Sequence, residues 1–163
     1  MTSRRFELNE YTLSVIEEIC RHMPGGFFLY EAEEPEKLIY ANKAVFQIYG
    51  CADLEEFREL TGYTFRGMVH PEDYQNISAS IVHQIGESEE QMDYAEYRII
   101  RRDGSVRWVD DYGHYAETKN YGGIYVVFIS DITEKRAQRE ESVATREAVI
   151  AALINAYNTV WLI

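Results

Sequence analysis

The chain has 163 residues, 46% of them apolar and 27% charged, enough to build one domain with a sizeable core and far from the composition of a disordered segment. Its 28 acidic residues against 16 basic ones leave a formal net charge of −12 with no long basic run, which argues against nucleic acid and anionic lipid as partners. Its apolar stretches fall well short of the roughly 18 to 20 residues that span a bilayer, and the opening residues show no secretory pattern; a cytoplasmic protein with no direct membrane contact is therefore expected.

Leu8, Tyr11, Val15, Ile16, Ile19 and Met23 recur at helical spacing before Pro24-Gly25-Gly26, so residues 1–23 are expected to form an amphipathic leading helix. Two β-prone runs at 27–31 and 37–40, separated by an acidic turn containing Pro35, predict a hairpin. Asn42 is placed to cap a short helix with Val45, Phe46 and Tyr49 on its apolar side and Gly50 as its stop. Asp53 caps a second helix that runs through Leu60 and breaks at Thr61-Gly62. His70-Pro71-Glu72-Asp73 predicts a longer helix over 71–85, with Pro71 in the first helical position and the two acids favoured by the helix dipole.

Residues 94–102 and 105–115 flank Asp103-Gly104, the pair that suits a two-residue type I′ hairpin turn. Gly122 and Gly123 then lead into 124–129, apolar on both faces as in a buried strand. Strands in two separated groups with helices between them indicate an α+β fold with an antiparallel sheet. Asp131 with Glu134 has the spacing of a capping box, and the polar stretch 134–142 predicts a helix projecting from the domain. Val143, Ile150, Leu153, Tyr157 and Val160 continue in a heptad-like pattern that Arg136, Arg139 and Arg146 interrupt in its earlier part. Residues 157–163 read as a turn into a strand that the chain end cuts off, the truncated start of a following module.

Glu96-Tyr97-Arg98, then Arg102-Asp103-Gly104-Ser105 with Trp108, then Asp131-Ile132-Thr133 closing a strand, resemble the C-terminal PAC-type motif of the PAS family. Tyr40-Ala41-Asn42-Lys43-Ala44 leading to Tyr49-Gly50, followed by His70-Pro71-Glu72-Asp73, is similar to its N-terminal half. The resemblance covers residues 24–133. It implies a five-stranded antiparallel sheet with short helices on one face around a pocket, flanked by signalling helices, and divides the chain into an N-terminal helix at 1–23, a sensory domain at 24–133 and a linker helix with the start of another module at 134–163. It also implies a bacterial signal-transduction protein in which a homodimeric input domain regulates a C-terminal output domain, such as a GGDEF diguanylate cyclase or the histidine kinase of a two-component system. Arg102, Asp103, Gly104, Asp131, Ile132 and Thr133 are its signal-transmission residues, with Arg101 or Arg102 as the basic partner of Asp131.

Two functions compete: a sensor that binds a small molecule, and a ligand-free structural module that dimerises or holds another protein. Phe28, Phe46, Tyr49, Ile81, Trp108 and Tyr125 are the candidate pocket lining; an aromatic wall with a few hydroxyls suits a small planar or amphipathic ligand, although the same residues serve equally as core. Leu8, Tyr11, Val15 and Ile19 are the candidate dimer interface. No cofactor is expected. On the helix that carries the iron ligand in PAS oxygen sensors, His83 falls opposite Tyr74, Ile77, Ile81, Val82 and Ile85 at about 100° per residue, which disfavours haem. Residues 63–70 lack the reactive cysteine of the flavin-binding light sensors. Cys20 and Cys51 form no metal or redox spacing, His70, Glu72 and Asp73 are accounted for by helix capping, and no nucleophile, phosphate-loop or metal motif points to catalysis or to a metal.

Overall fold

The computed structural model describes residues 6–161. Asn9 caps α1 (Glu10–Cys20) through a reciprocal pair of bonds with Thr12, the capping box that satisfies two free N–H groups of a helix start. Next come β1 (Gly26–Glu31) and β2 (Leu38–Ala41), then four helices: α2 (Lys43–Ile48), α3 (Leu54–Thr61), α4 (Phe65–Met68) and α5 (Tyr74–Glu87). Three long strands follow, β3 (Met92–Ile100), β4 (Val106–Thr118) and β5 (Gly122–Asp131), and the chain continues as α6 (Thr133–Trp161). The fold is α+β, with one five-stranded antiparallel sheet in the order β2-β1-β5-β4-β3. A compact unit ends at Asp131, and α6 makes up a second.

Period-two alternation assigns each strand residue to a face. Phe28, Tyr30, Tyr97, Val109, Val127 and Ile129 lie under α2–α5 with Val45, Phe57, Phe65 and Ile81 in the principal core. The opposite face buries Phe27, Leu29 and Ile124 beneath Leu13, Ile16 and Cys20 of α1. Asn120 fixes the approach to α1, because its side-chain amide takes both backbone groups of Leu8, at 3.1 and 2.6 Å.

The outer strand β3 has its free side occupied. The backbone N–H of His70 donates to the Arg98 carbonyl at 2.8 Å, and the Asp73 carboxylate accepts from the Arg98 N–H at 2.9 Å. Further along, the Gln84 side-chain amide bonds both the N–H and the carbonyl of Tyr94, each at 2.9 Å. Groups from α5 and the loop before it therefore bond the outer side of β3 at Tyr94 and Arg98, where another strand would otherwise pair.

Several local expectations are corrected. The long helix begins at Tyr74, after turns at 71–73, because the Asp73 carboxylate is committed to the Arg98 guanidinium at 2.6 and 3.0 Å and makes no cap bond. His70 Nδ1 accepts from the Glu72 N–H at 3.1 Å, so His70 caps the turn ahead of the helix, whereas Glu72 and Asp73 pair with Arg98 and are not explained by capping. The β3–β4 turn is not type I′. Gly104 has φ 84° but Asp103 is not among the residues with positive φ, and Gly104 N–H donates to Arg101 O while Arg101 N–H donates to Ser105 O. This is the three-residue loop in which a type I turn is followed by one left-handed residue. Leu8 is buried in the outer-face core and Val82 is exposed. Residues 157–161 continue α6 as helix, not as a turn into a strand; Leu162 and Ile163 lie outside the described residues.

Candidate functional site

Between the inner face of the sheet and α4–α5 lies a cavity of about 200 Å³, with Tyr30, Phe65, Tyr74, Ile81 and Tyr125 among its walls and Glu36 at its side. Its aromatic wall is a stack: Tyr30 lies 4.5 Å from Phe65 with nearly parallel rings and 5.0 Å from Tyr125. Glu36 enters from the β1–β2 turn, where the Tyr74 hydroxyl donates to it, and partial burial pushes its carboxyl above the usual range. A wider and shallower groove of about 780 Å³ runs along the solvent side of α5 and shares Glu34, Tyr74, Ser78 and Val82 with the cavity. The shared residues mark the cavity mouth.

Beside this wall, the inner face of β3 and β4 carries two buried acids, Asp93 (5% exposed) and Asp111 (1% exposed). They are diagonal neighbours: Asp93 stands opposite Gly113 and Asp111 opposite Ala95. Asp111 Oδ2 accepts from the Tyr97 hydroxyl at 2.7 Å, whereas Asp111 Oδ1 and Asp93 Oδ2 have no hydrogen-bond partner. Gly113 makes room for this arrangement, since a Cβ there would fall 2.4 Å from Asp93 Oδ2. The Asp93 carboxylate thus leans across Gly113 toward β5. Burial disfavours the charged form of both groups, pushing Asp93 up to about 6 and Asp111 up to about 8, the latter with added repulsion from Asp93 and Asp110 and an opposing contribution from the Tyr97 hydroxyl. The Tyr30 phenol is pushed well above its ordinary value, chiefly by burial and then by the charges of Asp111, Glu36 and Asp93.

The six expected lining residues separate in the structure. Ile81 and Tyr125 line the cavity. Phe28 and Tyr49 are core on the same side, the Tyr49 hydroxyl donating to Met68 O at 2.9 Å, and half-buried Phe46 packs on Phe57. Trp108 belongs to the opposite face, out of phase with buried Val109 and Asp111, and lies 6.0 Å from the Arg98 guanidinium. The acids went unrecognised because a composition of 28 acidic residues gives no reason to place any one of them inside. The available signal was phase: Asp93, Ala95, Tyr97 and Ile99 alternate on one strand face, and Asp111 follows Val109.

The expected transmission residues also divide. Asp131 pairs with Arg107 at 3.3 Å, not with Arg101 or Arg102, because β4–β5 register sets Asp131 opposite Val109, two residues from Arg107. Arg101 donates instead to the carbonyls of Gln47 and Ile48 at the end of α2, and Arg102 pairs with Glu59 at 3.3 Å and Glu56 at 3.7 Å on α3. Asp103 accepts from the Ser105 N–H and hydroxyl, so Arg101 and Arg102 fasten the hairpin loop to the helices while Asp103 and Gly104 shape the loop itself. His83 is exposed on α5. Among the described residues, no cluster of three or more His, Cys, Asp or Glu could hold a metal ion, and no helix is long and apolar enough to cross a membrane.

A family model described as the PAS fold matches residues 38–128. The chain belongs to the PAS family. Solved PAS structures share this topology at low identity. A sensory box histidine kinase/response regulator from Burkholderia thailandensis is 18% identical with a TM-score of 0.62, covering 83% of this chain and 98% of that one. A PAS domain from Colwellia psychrerythraea is 17% identical with a TM-score of 0.56, covering 76% and 98%. An RNA-binding light-oxygen-voltage receptor is 19% identical with a TM-score of 0.59, covering 88% of this chain and 40% of that one. No curated protein matches the chain. PAS domains are sensory input modules of signalling proteins, generally non-catalytic, that sit with output domains in multidomain chains and often dimerise.

Proposed function

We propose that this chain is the input domain of a larger signalling protein: it binds a small molecule in the cavity between sheet and α4–α5 and regulates an output domain such as a histidine kinase or a diguanylate cyclase. The observation that carries this reading is the cavity itself, where the stacked rings of Tyr30, Phe65 and Tyr125 stand with Glu34, Glu36 and Ser78 in one lining. Apolar walls with a few convergent polar groups are the usual form of a small-molecule site. Haem and flavin are not the proposed occupants, since His83 is exposed and residues 63–70 carry no cysteine.

Native mass spectrometry of the purified domain, with its absorption spectrum, tests the proposal. The expected result is a colourless protein with a small adduct, or one that acquires an adduct from a metabolite mixture. A Soret or flavin band at near-stoichiometric occupancy would overturn the choice of occupant. A dimer that takes up nothing would favour the second reading, a ligand-free dimerisation module, which the exposed Tyr11, Val15 and Ile19 of α1 support.

A further inference from the structure

On the inner face of the β3–β4 hairpin, Asp93 and Asp111 sit one row apart, Asp93 opposite Gly113 and Asp111 opposite Ala95. Both are buried, at 5% and 1% exposure, and Asp93 Oδ2 and Asp111 Oδ1 have no hydrogen-bond partner among the described residues. The titratable groups around them are Tyr97 on β3, Tyr115 and Asp110 on β4, Tyr125 on β5, Tyr30 on β1 and Tyr49 at the end of α2. From α5, Ile81 and Ile85 pack into the same core. None of these is a base.

A carboxyl group buried without a basic partner keeps its proton, because the hydration lost on burial makes its charge costly. Charge on one acid raises the cost of charge on its neighbour, so the protons belong to the pair. Burial accordingly pushes Asp93 up to about 6 and Asp111 up to about 8. An ionised pair must reach water, and the segment that yields is the one held least. β4 is paired on both sides, whereas β3 is paired on one. On its other side, Arg98 is fastened by a charged contact to Asp73 at 2.6 Å, but Tyr94, the residue next to Asp93, is held by the neutral amide of Gln84 through two bonds of 2.9 Å. The weaker latch therefore stands where the charge appears, and the stronger one lies further along the strand.

We infer that Asp93 and Asp111 form a proton-operated switch on the edge strand: while the pair is protonated the start of β3 stays closed between β4 and α5, and as pH rises through the neutral range the ionising pair releases residues 92–95 from Gln84 and from β4. The sign follows from linkage, since the closed form binds protons that the open form gives up. Neither acid lines the cavity, so the domain answers to proton concentration whether or not a small molecule is bound there.

Residue-resolved amide exchange and carboxyl-carbon NMR of the chain across the neutral range test the switch. The carboxyl carbons of the pair should titrate between about 6 and about 8. Over the same range the protection of the Tyr94 and Ala95 amides, corrected for the intrinsic rise of exchange with pH, should fall by roughly tenfold or more while that of Val127 in β5 holds. Asp93→Asn combined with Asp111→Asn keeps the shape of both side chains and removes their titration, so protection at Tyr94 should no longer vary with pH. If that double variant fails to fold, the two measurements on the unaltered protein decide. Carboxyl carbons that titrate with the surface acids would overturn the inference, as would protection at Tyr94 that holds throughout their titration. A loss shared equally by Val127 would overturn it too, because the protons would then control the whole fold and not β3. A folded double variant that keeps the pH dependence would assign the opening to another group and overturn it as well.

Discussion

Asp111 is a carboxylate whose ordinary value of 3.8 rises to about 8 in the folded protein because burial disfavours its charge. Tyr97 and Asp93 from β3 share its face, Asp110 beside it on β4 adds its charge, and the Tyr30 and Tyr49 phenols lie within its field; no base is among them. Between those two values the folded protein holds a proton that the unfolded chain has released, so its contribution is greatest at low pH and is lost as pH rises toward about 8. Denaturant unfolding from about pH 5 to 8 should show stability falling with pH, and Asp111→Asn should flatten that slope; equal slopes would mean that Asp111 is ionised throughout. Gly104 makes a different demand, a single left-handed residue at φ 84°. Gly104→Val should cost about 1–3 kcal/mol and several degrees of melting temperature, with Gly104→Asn costing less because asparagine tolerates that region. An unchanged midpoint for the valine variant would show that the loop relaxes to another form. The need for glycine was legible in Asp103-Gly104, but the turn type was not, since the choice between two- and three-residue loops depends on where the Arg101–Ser105 pair closes the ladder.

Among the elements, α1 shows most clearly where the sequence stops being sufficient. Its apolar residues were legible as one stripe, but the helix divides them: Leu13, Ile16 and Cys20 cover the sheet, whereas Tyr11, Val15 and Ile19 stand exposed. Helical spacing cannot separate two adjacent faces when both are apolar, and only the position of the sheet decides which is covered. The exposed set is the proposed dimer contact, without Leu8. Burying such side chains fully is worth roughly 1.5–3 kcal/mol each, enough to exceed the contribution of exposed ion pairs such as Arg21–Glu18. Val15→Glu with Ile19→Glu should therefore give a folded monomer in sedimentation velocity, and an unaltered dimer would move the interface elsewhere. The strands were more legible than the helices around them, because their alternation is long: β3, β4 and β5 each lie within a few residues of expectation. Face assignment was the weak point: it put Trp108 in the cavity and gave no sign that Asp93 and Asp111 are buried on the inner face of β3 and β4.

At the scale of the molecule, the order of elements and the PAS-like motifs were sufficient to anticipate the topology, while the chemistry of the cavity depended on which strand residues share a row. The completion of β3 by Gln84, Asp73 and His70 has a bearing on how copies of this domain meet. A strand whose outward backbone groups are already bonded at Tyr94 and Arg98 offers a poorer template for sheet-to-sheet addition. The other margin is also engaged, since the Leu38 N–H donates to Tyr63 O at 2.9 Å. The proposed association through side-chain surfaces competes with fewer open sheet margins, and contacts of that kind can slide or rotate without breaking a backbone ladder. That arrangement also disfavours strand-to-strand stacking between copies, whose local concentration would be high in the proposed dimer.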